Sequence, residues 1–149
     1  MGIKKGIKEL GTGIETGKEG LVVGSVKMEE VSWKIVGVYA REGIEKTLEG
    51  LEEWTDMVRE EGITIIGGDF NIRTGREGRV ERGEAVEKKE KKRNSKDGVI
   101  NKEGRRLVEF LEEKGLSIMN GDIKGDEAGE YTFTEGRGNS VIDYVIGGG

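Results

Sequence analysis

Residues 65–75 of the chain read IIGGDFNIRTG, a short apolar run that ends in two glycines before Asp69 and Asn71. Glycines let a backbone approach closely at a strand end, which is where open α/β folds place their chemistry. Because strand side chains alternate, Asp69 and Asn71 should point to one side and Phe70 to the other. Two interpretations fit this spacing. One is a ligand site, with a carboxylate for Mg²⁺ and an amide for a phosphate oxygen. The other is a simple turn with local Asx hydrogen bonds.

The sequence before this stretch predicts two strands and a helix. Residues 21–28 and 31–40 are rich in β-branched and aromatic residues and predict a hairpin. Residues 44–60 predict a helix, because apolar residues at steps of three and four form one apolar face. Gly62 is a helix stop, and residues 63–66 then predict a short buried strand.

The sequence after this stretch predicts a loop, a second helix and further strands. Region 76–98 is charged and aperiodic, which is typical of a loop. Asn101 is a suitable N-cap for a helix that ends at Gly115. The further strand candidates are residues 116–120, 130–134 and 140–146. Strands and helices alternate through the middle of the chain, and hairpins flank both ends. This pattern favours an α/β sandwich with mixed sheets, an arrangement that belongs to the α+β class.

A second carboxylate lies within a strand candidate. Residues 140–146 read SVIDYVI, so Asp143 would share one strand face with two valines. A carboxylate in such a position is costly unless it is paired or bound to a cation. The alternative is an exposed Asp on an edge strand. Thr132 lies in the strand candidate EYTFT, where it can be an ordinary strand threonine.

Composition excludes several kinds of chemistry. The 149 residues are 33% hydrophobic and 37% charged, which predicts one polar globular domain over residues 1–149. The absence of cysteine excludes disulfides and zinc–thiolate sites, and the absence of histidine removes the commonest general base. No apolar run approaches the roughly 20 residues of a membrane span, and no signal-peptide core follows Met1. We therefore expect a soluble intracellular protein.

The net charge of −5 is unevenly distributed. Residues 76–106 hold 12 Lys or Arg and 7 Asp or Glu, a net charge of +5, and the remainder carries −10. One interpretation of the densest part, residues 88–93, is a solvated charge run. The other is a loop that contacts nucleic-acid phosphates, or a nuclear-import patch. The residues predicted for that contact are Lys88, Lys89, Lys91, Lys92 and Arg93.

The motifs, taken in order, resemble the endonuclease/exonuclease/phosphatase superfamily, and most closely the apurinic-type endonuclease domain of non-LTR retrotransposons. They are GGDFNIRTG, the charged loop, NKEGRRLVEFLEEKGLSIMNG, GEYTFTEGRG and NSVIDYVI. IVGVYA (35–40) is similar to the tyrosine-bearing strand of that family. The resemblance covers roughly residues 20–147 and implies two packed mixed β-sheets flanked by helices.

The resemblance also implies roles for individual residues. Asp69 would bind the metal and orient the attacking water, Asn71 would hold that water and the phosphate, and Tyr39 would hydrogen-bond the scissile phosphate. Thr132 matches the family's threonine near the active centre. Asp143 matches the aspartate that orients a catalytic histidine. The implied reaction is Mg²⁺-dependent phosphodiester hydrolysis of DNA, in the nucleus if the parent retroelement protein is functional.

The chain also departs from the family pattern. The family's metal-binding Glu and companion Asn lie on earlier strands, and its terminal Asp–His pair lies beyond SVIDYVI. We therefore expect a partial domain, incomplete at both ends, with little or no activity. The alternatives are a non-catalytic nucleic-acid or protein interaction module on this scaffold, and a phosphatase or lipid phosphodiesterase of the same superfamily. Uncovered apolar faces should make the chain marginally stable. The residues expected near such openings are Leu21, Val23, Ile142 and Val145.

Overall fold

A computed structural model of the protein describes residues 8–9, 20–57, 62–79 and 92–148. In chain order the elements are β1 (Lys8–Glu9), β2 (Leu21–Met28), β3 (Val31–Tyr39), α1 (Ile44–Met57), β4 (Ile63–Asp69), α2 (Lys102–Lys114), β5 (Ser117–Ile118), β6 (Phe133–Glu135), β7 (Gly138–Ser140) and β8 (Asp143–Gly148). The predicted basic residues Lys88, Lys89 and Lys91 lie outside the described residues. Neither helix of the described part is long and apolar enough to cross a membrane.

The main sheet has six strands in the order β1-β2-β3-β4-β8-β5. Strands β3 and β4 are parallel, and the other neighbouring strands are antiparallel. The predicted α+β class with mixed β-structure is therefore confirmed. Among the described residues, the second sheet consists of the antiparallel pair β6 and β7.

The two-residue turn between β2 and β3 explains why these strands form a hairpin. Met28 pairs with Val31, so the turn consists of Glu29 and Glu30. Their φ angles are 48° and 67°, and positive φ at both central residues is the requirement of a type I′ turn. This turn matches the right-handed twist of the strands, and it positions Tyr39 at the far end of β3.

Helix α2 begins and ends as the sequence predicts. The Asn101 side chain accepts a hydrogen bond of 2.8 Å from the Gly104 amide, and Gly115 ends the helix at a φ of 67°. Gly104 packs so closely on the segment after β4 that an added Cβ would overlap the Arg73 carbonyl oxygen. The helix is thereby held against the segment that carries Asn71.

The core lies between the main sheet and the two helices. On the sheet side, Val36, Val38, Ile66, Tyr144 and Ile146 are all buried. Leu48 and Leu51 of α1 and Leu107 and Leu111 of α2 complete the same cluster. The opposite face of the sheet is more open, and its Val22 and Val145 side chains are 44% and 43% exposed.

The structure corrects several of these predictions. Strand β4 continues to Asp69 instead of ending at residue 66, because both of its neighbours continue to pair with it. The predicted strand 140–146 is two elements, since β7 ends at Ser140 and β8 begins at Asp143. Leu21 was expected near an opening, but it pairs opposite Val38 and is only 5% exposed.

Candidate active site

Three neighbouring strands place polar residues in one row across the sheet. Tyr39 of β3 is the register partner of Asp69 of β4, and Asp69 is the register partner of Asp143 of β8. Register partners share a face of the sheet, so these three side chains stand side by side. The adjacent residues Val38 and Tyr144 are buried in the core, so the row faces away from it. Tyr39 is 52% exposed at the end of this row.

The two carboxylates of the row are opposite each other on adjacent strands. Like charges in this position repel. Among the described residues, no Lys or Arg forms an ion pair with Asp69 or Asp143. Both side chains are half-buried, which leaves them accessible to a small ligand.

The donor set fits Mg²⁺ chemistry. Mg²⁺ is usually bound through one or two carboxylates together with water and substrate phosphates. A cation shared by Asp69 and Asp143 would also relieve their repulsion. Within residues 8–9, 20–57, 62–79 and 92–148, no three His, Cys, Asp or Glu side chains form a metal site by themselves. The row is therefore a candidate for a carboxylate pair that binds a metal together with substrate.

A tight turn follows Asp69. The Asn71 amide N–H donates to Asp69 Oδ1 at 2.9 Å, and Asn71 has a φ of 52°. Phe70 is fully buried, and its ring meets the Tyr144 ring edge-to-face with centroids 5.9 Å apart. The local Asx hydrogen bond is thus present, and the Asn71 side chain is exposed. The turn and the ligand site are compatible, because the turn occupies one carboxylate oxygen and does not use the Asn71 carboxamide.

Thr132 lies beside Asp143. Its Oγ1 accepts hydrogen bonds from the backbone amides of Ile142, at 3.1 Å, and Asp143, at 3.2 Å. The Asn120 side chain fixes the next part of β8, donating to the Asp143 carbonyl at 3.2 Å and accepting from the Val145 amide at 2.8 Å. Sequence reasoning missed Asn120. The available signal was an amide side chain at the end of the strand candidate 116–120, which is similar to the placement of Asp69 and Asn71 just beyond the strand candidate 63–66.

An ion pair between the half-buried Arg73 and the buried Asp97 joins two segments that carry site residues. Arg73 donates to both carboxylate oxygens of Asp97, at 2.8 and 2.6 Å, and Asp97 is 3% exposed. The same carboxylate accepts from the backbone amides of Val141 and Val99, each at 3.0 Å. Burial acts to raise the pKa of Asp97, but the hydrogen bonds from Arg73 and these amides hold it below its ordinary value. Asp97 thereby ties the segment after Asn71 to the start of β8.

The prediction that Arg93 contacts nucleic acid is wrong. Arg93 is 2% exposed, and its guanidinium lies 5.7 Å from the centroid of the Tyr144 ring. Its hydrogen-bond acceptors are Thr74 Oγ1 and the carbonyl oxygens of Gly75, Glu77 and Asn120. Burial lowers the pKa of Arg93. Because these bonds occupy the guanidinium inside the protein, it cannot reach a phosphate. Lys92 is exposed, and its ammonium lies 3.6 Å from the Glu77 carboxylate.

The Tyr144 hydroxyl joins the two segments that carry the site. It lies 2.6 Å from the Val141 carbonyl oxygen and 3.1 Å from the Ile72 carbonyl oxygen. It also accepts a hydrogen bond of 3.1 Å from the Thr74 amide. Burial raises the pKa of this phenol, which keeps the hydroxyl in its protonated form. The turn at Asn71 and the beginning of β8 are therefore held at a fixed separation.

No protein-family model and no curated protein matches the chain. Among solved structures, the chain is similar to the endonuclease domain of TRAS1, a telomere-specific non-LTR retrotransposon, with 24% identity and a TM-score of 0.56 over 85% of this chain and 49% of that one. Truncated Caenorhabditis elegans TDP2 gives 9% identity and a TM-score of 0.53 over 99% and 55% of the two chains. The human Nocturnin catalytic domain with a bound sulfate anion has 12% identity to the chain. Its TM-score is 0.51 over 97% of this chain and 49% of that one.

These similarities confirm the predicted resemblance at the level of the fold. The chain has the endonuclease/exonuclease/phosphatase fold, and a retrotransposon endonuclease domain is among the structures that share it. The chain spans about half the length of these structures.

Proposed function

We propose that residues 1–149 belong to one domain with a Mg²⁺-dependent phosphodiester-hydrolysing site of the retrotransposon endonuclease type, acting on DNA in the nucleus. One observation carries the proposal. Tyr39, Asp69 and Asp143 pair in register across three adjacent strands. Asn71 and Thr132 are hydrogen-bonded to the same row.

In this proposal the residues act mainly by positioning. Asp69 accepts a hydrogen bond from the attacking water and orients it toward phosphorus. The Asn71 amide and the Tyr39 hydroxyl each donate to a phosphate oxygen, where they stabilise the charge that develops during hydrolysis. Asp69 and Asp143 would hold Mg²⁺, which when bound neutralises charge on the phosphoryl oxygens.

Turnover should be slow. The chain contains no histidine, so no imidazole can transfer the proton to or from the reacting oxygens. General acid–base catalysis contributes about 10²–10⁴-fold in enzymes that use it. We therefore expect nicking that is detectable only at high protein concentration and long incubation.

The test is plasmid nicking in Mg²⁺ by Asp69→Asn and Asn71→Ala variants. Both should lose the Mg²⁺-dependent nicking of the wild type, with unchanged far-UV circular dichroism. Glu109→Gln is a matched control, because it exchanges a carboxylate for an amide on the exposed face of α2. Nicking that survives in Asp69→Asn, or that Glu109→Gln reduces equally, would contradict the proposal.

The second candidate is a non-catalytic interaction module on the same scaffold. The observation that favours it is the turn itself: the hydrogen bond from the Asn71 backbone amide explains Asp69 without a ligand, and the φ of 52° at residue 71 favours an asparagine there. Mg²⁺ titration followed by calorimetry or NMR separates the two candidates. Saturable Mg²⁺ binding that Asp69→Asn removes favours the enzyme, and its absence favours the module.

A further inference from the structure

A cleft of about 310 Å³ opens beside the polar row and shares Tyr39 with it. Arg41, Lys46 and Glu49 are among its lining residues, so it runs from the end of β3 along the first turns of α1. Its volume is near the lower end of the roughly 300–1,000 Å³ typical of small-molecule sites. The proposed function uses only the Tyr39 hydroxyl and leaves the cleft without a role.

We propose that this cleft binds the single nucleotide adjoining the scissile phosphate, with Arg41 at the phosphate end and Glu49 at the base end. The inference rests on the proposed function, because Tyr39 belongs to both the row and the cleft. A nucleotide in the cleft would therefore have its linking phosphate within reach of the row.

Arg41 has the positive charge and the hydrogen-bond donors that the phosphate end of the cleft needs. Its guanidinium carbon lies 5.1 Å from the centroid of the Tyr39 ring, and the side chain is exposed. Among the residues that the structure describes, no carboxylate forms an ion pair with it. A guanidinium beside an aromatic ring can bind phosphate through two donors and can also stack against a base. Arg41 and Tyr39 thus provide a cation and a stacking surface together.

The charges along the cleft distinguish its two ends. Lys46 donates to the carboxylate of Glu42, which lies just before α1, so these two charges offset each other. Glu49 forms no ion pair within the described part of the chain. It lies five residues beyond Ile44, which is about 7.5 Å along the helix axis. The cleft is therefore positive near Tyr39 and negative at its other end.

This polarity predicts which bases fit. A carboxylate accepts hydrogen bonds from exocyclic amino groups such as cytosine N4. Thymine carries no amino group, and its N3–H donor lies between two carbonyl oxygens that Glu49 would repel. The cleft should therefore prefer cytosine to thymine when the base edge is unpaired, as in single-stranded DNA.

Binding of fluorescein-labelled ten-nucleotide oligodeoxycytidylate, measured by anisotropy in EDTA and low salt, tests the phosphate end without hydrolysis. Arg41→Ala should weaken binding about tenfold, as expected for loss of one stacked and charged contact. Arg137→Ala is the matched control, because Arg137 is an exposed arginine between β6 and β7, outside the basic region 76–106 and without a described side-chain contact. Equal losses in the two variants would overturn the assignment of Arg41.

Oligodeoxythymidylate of the same length tests the base end. The wild type should bind it more weakly than oligodeoxycytidylate, and Glu49→Gln should reduce that difference. Equal binding of the two by the wild type would overturn the assignment of Glu49.

The two proposals fail in distinguishable ways. If nicking is absent but binding in EDTA depends on Arg41, the proposed function is contradicted and the cleft is supported. Nicking whose KM is unchanged by Arg41→Ala would contradict the cleft and leave the proposed function standing.

Discussion

Among single residues, Asp97 connects the segment after β4 with the start of β8. Its carboxylate accepts four hydrogen bonds, two from Arg73 and one each from the amides of Val99 and Val141. It is buried, so removing its charge would leave these donors without a charged acceptor. This single side chain therefore affects the position of Asn71 on one side and Asp143 on the other.

Asp97→Asn should lower the free energy of unfolding at pH 7 by about 2–4 kcal/mol. The pKa of Asp97 is lowered in the folded state from its ordinary value of 3.8. Its contribution is therefore complete well above that pH and is lost as pH falls through the folded-state pKa. Urea unfolding of wild type and variant should thus give curves that converge in acid. Glu130→Gln, which breaks an exposed pair with Lys96, should cost only about 0–1 kcal/mol. A difference between wild type and Asp97→Asn that stays constant into acid would contradict this account.

At the scale of elements, the periodicity of apolar residues predicts the strands and helices that depend on local sequence. The strands at 21–28 and 31–40 and the two helices follow from alternation, apolar steps and caps, and the structure has them near those positions. Contacts between segments that are distant in sequence produce no such local sequence pattern. Arg93 looks like one member of a basic run, but its acceptors come from segments 16 to 27 residues away in sequence. The register that brings Asp69 and Asp143 together is likewise a property of the folded sheet.

The N-cap of α2 gives a prediction at this scale. Asn101 Oδ1 accepts from the Gly104 amide at 2.8 Å and, more weakly, from the Arg73 amide at 3.4 Å. Asn101→Ala should lower stability by about 1–2 kcal/mol in thermal or urea unfolding, because two donors lose their acceptor. Asn101→Asp keeps a capping oxygen and should retain most of the wild-type stability. Equal losses in both variants would mean that the cap is not the cause.

The basic segment gives a second prediction at this scale. Lys88, Lys89, Lys91 and Lys92 belong to a region of net charge +5 in an otherwise acidic chain. We expect weak, salt-dependent DNA binding with a Kd in the micromolar range or poorer. Replacing the four lysines with glutamine should reduce the slope of log K against log salt by up to about 3.6. Arg93→Gln does not test this contact, because Arg93 is buried. Binding that is insensitive to both salt and these substitutions would contradict the prediction.

At the scale of the whole molecule, helices cover one face of the main sheet and, among the residues that the structure describes, leave the other face open. In register, Val22, Gly37, Gly67 and Val145 form one row of the open face, next to the row of Tyr39, Asp69 and Asp143. Ile35 and Ile65 form the following row and are half-buried. The expected opening near Val145 is thus observed, whereas Val23 packs against the core. The candidate site borders an exposed apolar surface.

This open face predicts marginal stability. Each apolar side chain that stays exposed to water lacks roughly 1.5–3 kcal/mol of the stabilisation that full burial would give. The net stability of a domain is only about 5–15 kcal/mol. The protein should therefore unfold cooperatively below about 60 °C, bind the dye ANS while folded, and self-associate as concentration rises. The double variant Val22→Thr/Val145→Thr should reduce dye binding and self-association with little change in Tm, because both side chains are already exposed.

The matched control is Val36→Thr, the same exchange at a core position that is 1% exposed. It should lower Tm by several degrees, because the hydroxyl would be buried without a partner. If the wild type melted above about 60 °C without binding ANS, the open face would be covered in solution. If the surface pair lowered Tm as much as Val36→Thr does, Val22 and Val145 would be buried in solution. Either result would contradict an open face, because each requires its apolar side chains to be shielded from water.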